Sequence, residues 1–270
     1  AATAVNRADL MQRRGLYPPP PGASPIIGLE CAGIVAAVGD GVTNVATGAS
    51  VCALLAGGGY AEYAVAPATS VLPVPKGLDF REAASLPEVY ATAWLNLFME
   101  AGLQAGECVV LHAGASGVGT AAVQLCEAFG NPSFVSAGAD DKIARCIELG
   151  ATSGANRRND GMWDAASEFA GESGVDVILD PVGAGYFEEN LKLLGLGGRL
   201  VLIGLMSGAK TEANLGLLMA KRLRVIGSTL RARPNTEKAA VMAQLKDRVW
   251  PKIASGSICP VIERVYPVSE

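Results

Sequence analysis

A glycine-rich turn directly after a short apolar run is the feature of this sequence with the clearest chemical meaning. Residues 112–125 read HAGASGVGTAAVQL and follow the run CVVL at 108–111. This order predicts a buried strand that turns through glycines into an amphipathic helix. Such a turn directs the first N–H groups of the helix and the positive end of its dipole outward, where they can hold a pyrophosphate. The turn therefore predicts a binding site for a nicotinamide or flavin dinucleotide.

The turn differs from the usual G-x-G-x-x-G pattern at its middle glycine. In register it reads Gly114-x-Ser116-x-x-Gly119, with Gly117 and Val118 after the serine. The middle glycine normally lets the backbone approach the pyrophosphate, but a small serine can fit there and offers a hydroxyl. A turn that only packs a helix on a strand remains the alternative. A serine-hydrolase elbow, G-x-S-x-G, is excluded because its last glycine is replaced by Val118 and the chain has a single histidine.

Composition narrows the class of protein. The chain has 270 residues, 50% of them hydrophobic, and a net charge of -4. The chain is mildly acidic and its basic residues are scattered, so it has no basic patch of the kind that binds nucleic acid. It also has no uninterrupted run of about 18 apolar residues, so no transmembrane helix is predicted. The six cysteines lie far apart without a C-x-x-C pair. This spacing predicts reduced core thiols and a cytoplasmic protein.

The first part of the chain differs in pattern from the middle. Up to about residue 85, glycine and proline are dense and the apolar stretches are short, as at 33–38 and 60–65. This pattern predicts small antiparallel strands in a barrel-like unit. The segment 258–268 also reads as strand material that returns to this unit, after a helix at 235–255.

The middle of the chain alternates between strands and helices, which predicts a doubly wound parallel sheet of the Rossmann type. The predicted strands are 109–111, 134–136, 175–180, 199–203 and 223–227, and the predicted helices are 118–129, 140–149, 184–194 and 214–221.

Several further motifs follow one another in order along the chain. They are NRADL at 6–10, GLECAG at 28–33, GGYAEY at 58–63, LPE at 86–88, LDPVG at 179–183 and LGGR at 196–199. Together with the glycine turn they resemble the zeta-crystallin-like NADPH:quinone oxidoreductases of the medium-chain dehydrogenase/reductase superfamily.

The resemblance implies an α/β protein with two domains. A GroES-like β-rich catalytic domain would comprise residues 1–86 and 234–270, and a Rossmann NADPH-binding domain residues 87–233, with the active site in the cleft between them. Relatives carry further residues at both ends, so the resemblance also implies that the chain is truncated at both ends. Homodimerisation is expected by analogy.

Zinc chemistry is not expected. Where zinc alcohol dehydrogenases place a histidine in Gly-His-Glu, this chain has Gly28-Leu29-Glu30, and it lacks a cluster of closely spaced cysteines. Without a Lewis acid to stabilise an alkoxide, a site is poorly suited to catalyse the oxidation of an alcohol. We therefore expect no metal and a substrate that accepts hydride readily, such as a quinone or an activated alkene.

The end of the second Rossmann strand predicts NADPH rather than NADH. An NAD enzyme typically presents a carboxylate there to the ribose 2′-hydroxyl, but this chain has Gly138. The resemblance implies that Lys142 pairs with the 2′-phosphate and that Arg157 stands near the adenosine, where a guanidinium can contact it. An ordinary solvated loop with Arg157 and Arg158 remains the alternative.

The resemblance also implies the remaining site residues. Those expected to contact the cofactor, besides the residues of the turn, Gly138, Lys142 and Arg157, are Thr92, Gly183, Gly204, Leu205, Met206, Ser228, Leu230 and Arg231. Those expected around the quinone are Tyr17, Asn6 and Ser116. For each of these residues the alternative to ligand contact is a purely structural role in a helix, in the core, in a turn or on the surface.

The resulting hypothesis is zinc-independent, NADPH-dependent reduction of small-molecule quinones, ortho-quinones in particular, with catalysis mainly by positioning. An NADPH-dependent enone or alkenal reductase is the enzymatic alternative. A non-catalytic NADPH-binding protein, of the crystallin or RNA-binding kind, is the alternative from another class.

Overall fold

The structure is a computed structural model that describes residues 1–268. The last two positions of the predicted domain segment 234–270 lie outside the described residues. The strands of the described part are β1 (Glu30–Ile34), β2 (Ser50–Leu54), β3 (Val71–Pro73), β4 (Val109–His112), β5 (Ser133–Ala137), β6 (Ser153–Asn156), β7 (Val175–Asp180), β8 (Leu194–Leu202) and β9 (Arg224–Gly227).

The same part of the chain contains helices between and after these strands. They are α1 (Arg7–Arg13), α2 (Phe80–Ala84), α3 (Pro87–Trp94), α4 (Gly117–Phe129), α5 (Asp140–Glu148), α6 (Met162–Ala170), α7 (Phe187–Leu193), α8 (Leu215–Ala220), α9 (Asn235–Gln244) and α10 (Trp250–Ala254). Short 3-10 helices lie at Ala68–Ser70 and Ala184–Tyr186, and π-helical turns at Leu95–Glu100 and Leu245–Val249. None of these helices has the length and apolar character needed to cross a membrane.

The chain divides into two compact units. The first unit comprises Ala1–Ala91 and Leu230–Glu270, and the second comprises Thr92–Thr229. The domain boundaries predicted from the sequence, after residues 86 and 233, lie close to these divisions.

The first unit contains a small antiparallel sheet in the order β1-β2-β3. Glu30 pairs with Leu54 at one end of the β1–β2 ladder, and Ile34 pairs with Ser50 at the other. The antiparallel arrangement confirms the prediction for this part of the chain.

Two predicted strands of the first unit are absent from the described residues. The segments 60–65 and 258–268 have no regular strand, and the segment 33–38 is a strand only up to Ile34. An extended segment becomes a strand only where a neighbour offers N–H and C=O groups at the right spacing. The N–H of Tyr60 donates to the carbonyl oxygen of Ile27 at 2.9 Å, but no ladder continues from it among the described residues, and the side chain of Val65 is 95% exposed.

The second unit is built on a parallel sheet in the order β6-β5-β4-β7-β8-β9. From β4 the chain winds outward through β5 and β6, and from β7 it winds in the opposite direction through β8 and β9. This confirms the doubly wound prediction, and it creates a switch point between β4 and β7. Ligands of such sheets bind outside the carboxyl ends of the strands at the switch point.

The strands of the second unit are apolar because helices cover both faces of a parallel sheet. Val110 of β4, Phe134 of β5, Ile178 of β7 and Leu200 of β8 are all fully buried in one core cluster. Strand β6 is not predicted from the sequence, since its residues Ser-Gly-Ala-Asn have low strand propensity. Pairing with β5 imposes the strand, from Phe134 with Ser153 to Ala137 with Asn156.

Candidate functional site

The turn between β4 and α4 has the geometry of a phosphate-binding loop. Ser116 is the N-cap of α4, and its Oγ accepts a hydrogen bond from the N–H of Gly119 at 3.1 Å. A Cβ at Gly119 would lie 2.5 Å from the carbonyl oxygens of Ala113 and Gly114, so only glycine fits there. Ala113 has a φ of 55°, a left-handed conformation that is uncommon for alanine and that the sequence did not reveal.

The glycines of this turn have separate roles. A Cβ at Gly114 would lie 2.7 Å from the Cβ of Val135, so Gly114 lets the turn pack on β5. Ser116 and Gly117 are exposed, and Val118 is half-buried, at the beginning of a helix of 13 residues. The first N–H groups of a helix have no partners within it and attract anions. The turn therefore fits a pyrophosphate, at the sheet position where dinucleotides bind.

Gly138 and Arg157 meet beyond the end of β5. A Cβ at Gly138 would lie 3.4 Å from Nε and 3.7 Å from Nη2 of Arg157, so the guanidinium lies where an NAD enzyme has its acidic side chain. The nearby carboxylate of Asp140 accepts a hydrogen bond from Asn156 at 2.9 Å. Lys142 is exposed on α5. Gly138 has no side chain and so leaves room for a phosphate, and the Arg157 guanidinium offers it a positive charge.

The loops after β7 and β8 bring together four further predicted residues: Gly183, Gly204, Leu205 and Met206. The N–H of Met206 donates to the carbonyl oxygen of Pro181 at 3.2 Å, which joins the two loops. Leu205 and Met206 are 55% and 48% exposed within the part that the structure describes, so they are not core residues. An open cleft of about 540 Å³ adjoins these loops and is lined by Gly183 and Leu205.

Asp180 organises the Gly183 turn. Its Oδ1 accepts hydrogen bonds from the N–H groups of Val182 at 2.5 Å and Gly183 at 3.2 Å, and its Oδ2 accepts one from Asn190 at 3.0 Å. Burial raises the pKa of Asp180 to about 6, although these hydrogen bonds favour the carboxylate. The motif LDPVG drew attention to this turn, but the sequence held no signal for the partner Asn190.

A buried histidine extends this arrangement to the neighbouring strands. Nε2 of His112 lies 2.8 Å from Oδ1 of Asn190, and its Nδ1 lies 2.9 Å from Oγ of Ser136. Burial lowers the pKa of His112 to about 4, so the ring is neutral at pH 7. Because Asn190 presents its oxygen, Nε2 carries the proton and Nδ1 accepts from the serine. Side chains from β4, β5, β7 and α7 are thus linked beneath the predicted cofactor loops.

In the first unit, Asn6 is held by a buried carboxylate. Its Nδ2 donates to Oε1 of Glu30 at 2.7 Å, and the N–H of Glu88 donates to Oε2 of Glu30 at 2.8 Å. Burial raises the pKa of Glu30 to about 7 against the effect of these hydrogen bonds. Asp9 also fixes this segment, because it accepts from the N–H of Asn6 at 2.8 Å and from the hydroxyl of Tyr60 at 3.2 Å.

Tyr17 lies on a loop beside Arg231. Burial and the charge of Glu88 raise the pKa of the Tyr17 phenol, while Arg231 acts in the opposite direction. The phenol is therefore protonated at neutral pH and can donate a hydrogen bond. Leu230, next to Arg231, is buried.

The predicted site residues fall into both units. Asn6, Tyr17, Leu230 and Arg231 belong to the first unit, and the others belong to the second. Thr92 lies in α3, where its carbonyl oxygen accepts from Asn96 at 2.7 Å. Ser228 follows β9, and its N–H donates to the carbonyl oxygen of Leu202 at 3.0 Å. Among residues 1–268, no group of three or more His, Cys, Asp or Glu side chains is placed to hold a metal ion.

Comparisons with known proteins agree with this architecture. The family described as "Alcohol dehydrogenase GroES-like domain" matches residues 1–76, and the family described as "Zinc-binding dehydrogenase" matches residues 117–247. The quinone oxidoreductase of Rattus norvegicus is 33% identical over the whole chain, which covers 80% of that protein.

Solved structures give the same result. The Escherichia coli quinone oxidoreductase complexed with NADPH has a TM-score of 0.83 and 30% identity, over 95% of this chain and 78% of that one. The CurK enoyl reductase has a TM-score of 0.85 and 27% identity, over 100% of this chain and 82% of that one.

A GroES-like segment joined to a Rossmann-type unit defines the class of medium-chain dehydrogenases/reductases. The chain belongs to this superfamily and, within it, to the quinone oxidoreductases.

Proposed function

We propose that the protein is an NADPH-dependent quinone oxidoreductase that works without zinc. The observation that carries the proposal is the Arg157 guanidinium beside Gly138, at the strand end where an NAD enzyme presents a carboxylate. The relatives named as quinone oxidoreductases, one of them complexed with NADPH, support both the substrate class and the cofactor.

The second unit supplies the residues that would hold the cofactor. The α4 N-terminus after Ser116 would bind the pyrophosphate, and Arg157 with Lys142 would pair with the 2′-phosphate. Gly183 and the loop 204–206 would border the nicotinamide ribose, with Thr92, Ser228, Leu230 and Arg231 completing the cofactor contacts. When bound, NADPH supplies the hydride that reduces the quinone.

Tyr17 and Asn6 would orient the quinone. The protonated Tyr17 phenol can donate a hydrogen bond to a carbonyl oxygen that gains charge as hydride arrives, and its ring can stack on a flat substrate. The Asn6 amide is already fixed by Glu30 at 2.7 Å, so it meets the substrate without a loss of side-chain freedom. The reduced oxygen can collect its proton from water, so no strong general acid is required.

The residues present support the zinc-free chemistry that we propose. The single histidine, His112, is buried and uses both ring nitrogens in hydrogen bonds to Ser136 and Asn190. Leu29, where zinc enzymes place a histidine, is buried as well. Substrates that need no Lewis acid are therefore favoured, and ortho-quinones are our specific proposal.

The test is a titration followed by a turnover assay. The purified chain should bind NADPH saturably, as seen in the cofactor's fluorescence, and should consume it when 9,10-phenanthrenequinone is added. NADPH binding without consumption would favour the non-catalytic alternative. Lack of saturable binding by folded protein would overturn the proposal.

An NADPH-dependent enone or alkenal reductase is the second candidate, since the CurK enoyl reductase is among the structural neighbours. It differs in needing a proton delivered to carbon. The comparison of NADPH consumption with a quinone and with an alkenal, in the wild type and in a Tyr17 variant, separates the two reactions.

We further propose a cytoplasmic location. Cys52 and Cys126 are free and buried, and free buried thiols are typical of reducing compartments. Homodimerisation stays a prediction, which sedimentation of the purified chain would test.

A further inference from the structure

We propose that Asn190 of α7 is a positioning residue for NADPH, because its amide orients the Asp180 carboxylate and thereby fixes the Gly183 turn that would border the nicotinamide ribose. The Asn190 side chain is fully buried, so it acts on a ligand only through the residues that it holds. The inference rests on the proposed function, since it concerns the same cofactor.

The Asn190 amide joins buried side chains from two strands. Its Nδ2 donates to Oδ2 of Asp180, at the end of β7, at 3.0 Å. Its Oδ1 lies 2.8 Å from Nε2 of His112, at the end of β4, and Nδ1 of that ring lies 2.9 Å from Oγ of Ser136. A flipped amide would place its oxygen against the Asp180 carboxylate, so a single orientation satisfies both partners. The position of the Asn190 donor is therefore fixed before any ligand binds.

The Asp180 carboxylate shapes the turn that follows β7. Its Oδ1 accepts hydrogen bonds from the N–H groups of Val182 at 2.5 Å and Gly183 at 3.2 Å. A carboxylate is a strong acceptor for backbone N–H groups, but only while it is correctly rotated. Asn190 holds the second oxygen and so prevents that rotation. Loss of the Asn190 donor would therefore loosen the turn.

The turn also carries the loop after β8, which is the second proposed contact with the nicotinamide end. The N–H of Met206 donates to the carbonyl oxygen of Pro181 at 3.2 Å, and the N–H of Ser207 donates to that of Val182 at 2.8 Å. Oγ of Ser207 donates to the same carbonyl oxygen at 2.8 Å. A shift of the turn would thus move this loop with it. Because preorganised contacts reduce the cost of binding, one buried amide contributes to both of the proposed contacts.

The test replaces Asn190 in two ways. Asn190→Leu keeps about the same volume and removes both hydrogen bonds. Asn190→Asp keeps the shape, but the new carboxyl can donate to Asp180 only while it holds a proton. Asn131→Leu and Asn131→Asp are the matched controls. Asn131 is also buried in the second unit, but it precedes β5, at the edge of the sheet opposite the Gly183 turn, and donates to the carbonyl oxygen of Gln104 at 2.6 Å.

Three measurements on the full chain report the effect. Fluorescence titration gives the Kd of NADPH between about pH 6 and about pH 9. Steady-state turnover with saturating 9,10-phenanthrenequinone gives kcat and the KM for NADPH. Hydrogen exchange without cofactor reports the turn itself, and thermal unfolding would verify that each variant is folded.

We expect Asn190→Leu to weaken NADPH binding by about tenfold or more at neutral pH, as for the loss of a hydrogen bond to a charged group. The KM for NADPH should rise by a similar factor, while kcat stays within about threefold of the wild type. The N–H groups of Val182 and Gly183 should exchange about tenfold faster. Asn131→Leu can lower stability, but it should leave the Kd of NADPH within about twofold of the wild type.

Asn190→Asp should bind NADPH within about threefold of the wild type near pH 6 and progressively more weakly as the pH rises. The new carboxyl would lie against Asp180 on one side and His112 on the other, and two carboxylates so close together repel each other when both ionise. The ratio of variant to wild type at each pH removes the titrations that both proteins share, such as that of Glu30. Asn131→Asp should show no such trend.

Unchanged NADPH affinity or unchanged hydrogen exchange in folded Asn190→Leu would overturn the inference while the proposed function stands. Equal losses of affinity in the Asn190 and Asn131 variants would show a merely structural role and overturn it as well. If Asn190→Leu does not fold, Asn190→Asp decides, and a constant ratio across the pH range refutes the role of the donor. If the folded wild type does not bind NADPH saturably, the proposed function fails and this inference fails with it.

Discussion

The Arg231 guanidinium lies over the ring of Tyr17, 5.3 Å from the ring centroid, and its Nη1 donates to the Tyr17 carbonyl oxygen at 3.3 Å. The same side chain donates to the carbonyl oxygen of Ala56 and to Oε1 of Gln12, each at 2.8 Å. It is only 4% exposed. One arginine thus holds three segments of the first unit, including the loop that carries the proposed quinone-binding tyrosine.

Replacement of Arg231 by methionine should destabilise the protein. The change leaves partly buried acceptors on Tyr17, Ala56 and Gln12 without these donors, which we expect to lower the free energy of unfolding by about 2–4 kcal/mol. Urea unfolding measures this difference. Arg14→Met, on an exposed side chain at the end of α1, is the matched control and should change stability by less than about 0.5 kcal/mol. Equal losses in both variants would contradict the role of Arg231.

Replacement of Tyr17 by phenylalanine should separate the two enzymatic candidates. The variant keeps the stacking surface and loses the hydroxyl, so quinone turnover should fall by less than about tenfold. Reduction of an alkenal, which needs a proton on carbon, should fall by about a hundredfold or more. Steady-state kcat/KM with each substrate gives the answer. A large loss with the quinone would mean that Tyr17 does more than orient it.

Replacement of Gly119 by alanine should damage the phosphate-binding turn. The new Cβ would lie 2.5 Å from two carbonyl oxygens of the turn, so the backbone must move. We expect a loss of about 1–3 kcal/mol in stability and a weakening of NADPH binding by at least about tenfold. Thermal unfolding and fluorescence titration measure the two effects.

The control for this change is Gly161→Ala in the same unit. A Cβ at Gly161 would meet no atom within 4 Å, and the residue has an ordinary φ of -86°. Stability and NADPH affinity should both stay close to those of the wild type. If Gly119→Ala behaves in the same way as Gly161→Ala, NADPH binding does not require the close approach of the Gly119 backbone to the carbonyl oxygens of the turn.

The buried carboxyl of Glu30 should make stability depend on pH. Burial raises its pKa from 4.5 to about 7 in the folded protein, so the folded state holds a proton that the unfolded state releases. The stabilisation is complete below pH 4.5 and is lost as the pH rises through 7, with a slope of up to about 1.4 kcal/mol per pH unit. Glu30→Gln should flatten this part of the profile.

The observable is the difference between wild type and variant at each pH. Asp180, with a raised pKa, and His112, with a lowered pKa, also titrate between folded and unfolded states, but they are common to both proteins. Glu62→Gln, on an exposed side chain, should leave the profile unchanged. A wild-type profile parallel to that of Glu30→Gln would show that Glu30 ionises normally.

The elements that the sequence predicts correctly are those whose signal is local. The alternation of apolar runs with helical periods predicted β4, β5, β7, α4 and α5, because each pattern spans only a few consecutive residues, but it missed α6. It failed for β6, whose polar residues become a strand through pairing with β5. It also predicted strands at 60–65 and 258–268, where β-like composition has no neighbouring strand to pair with in the described part of the chain.

The sequence by itself determined the parallel sheet, the glycine turn and the absence of a carboxylate at Gly138, since these depend on residue type and short spacing. The tertiary structure alone decided which distant side chains meet. Arg231 and Gln12 are 219 positions apart, and His112 and Asn190 are 78 apart. No local pattern encodes such contacts, because they arise only when the packing of whole elements brings their ends together.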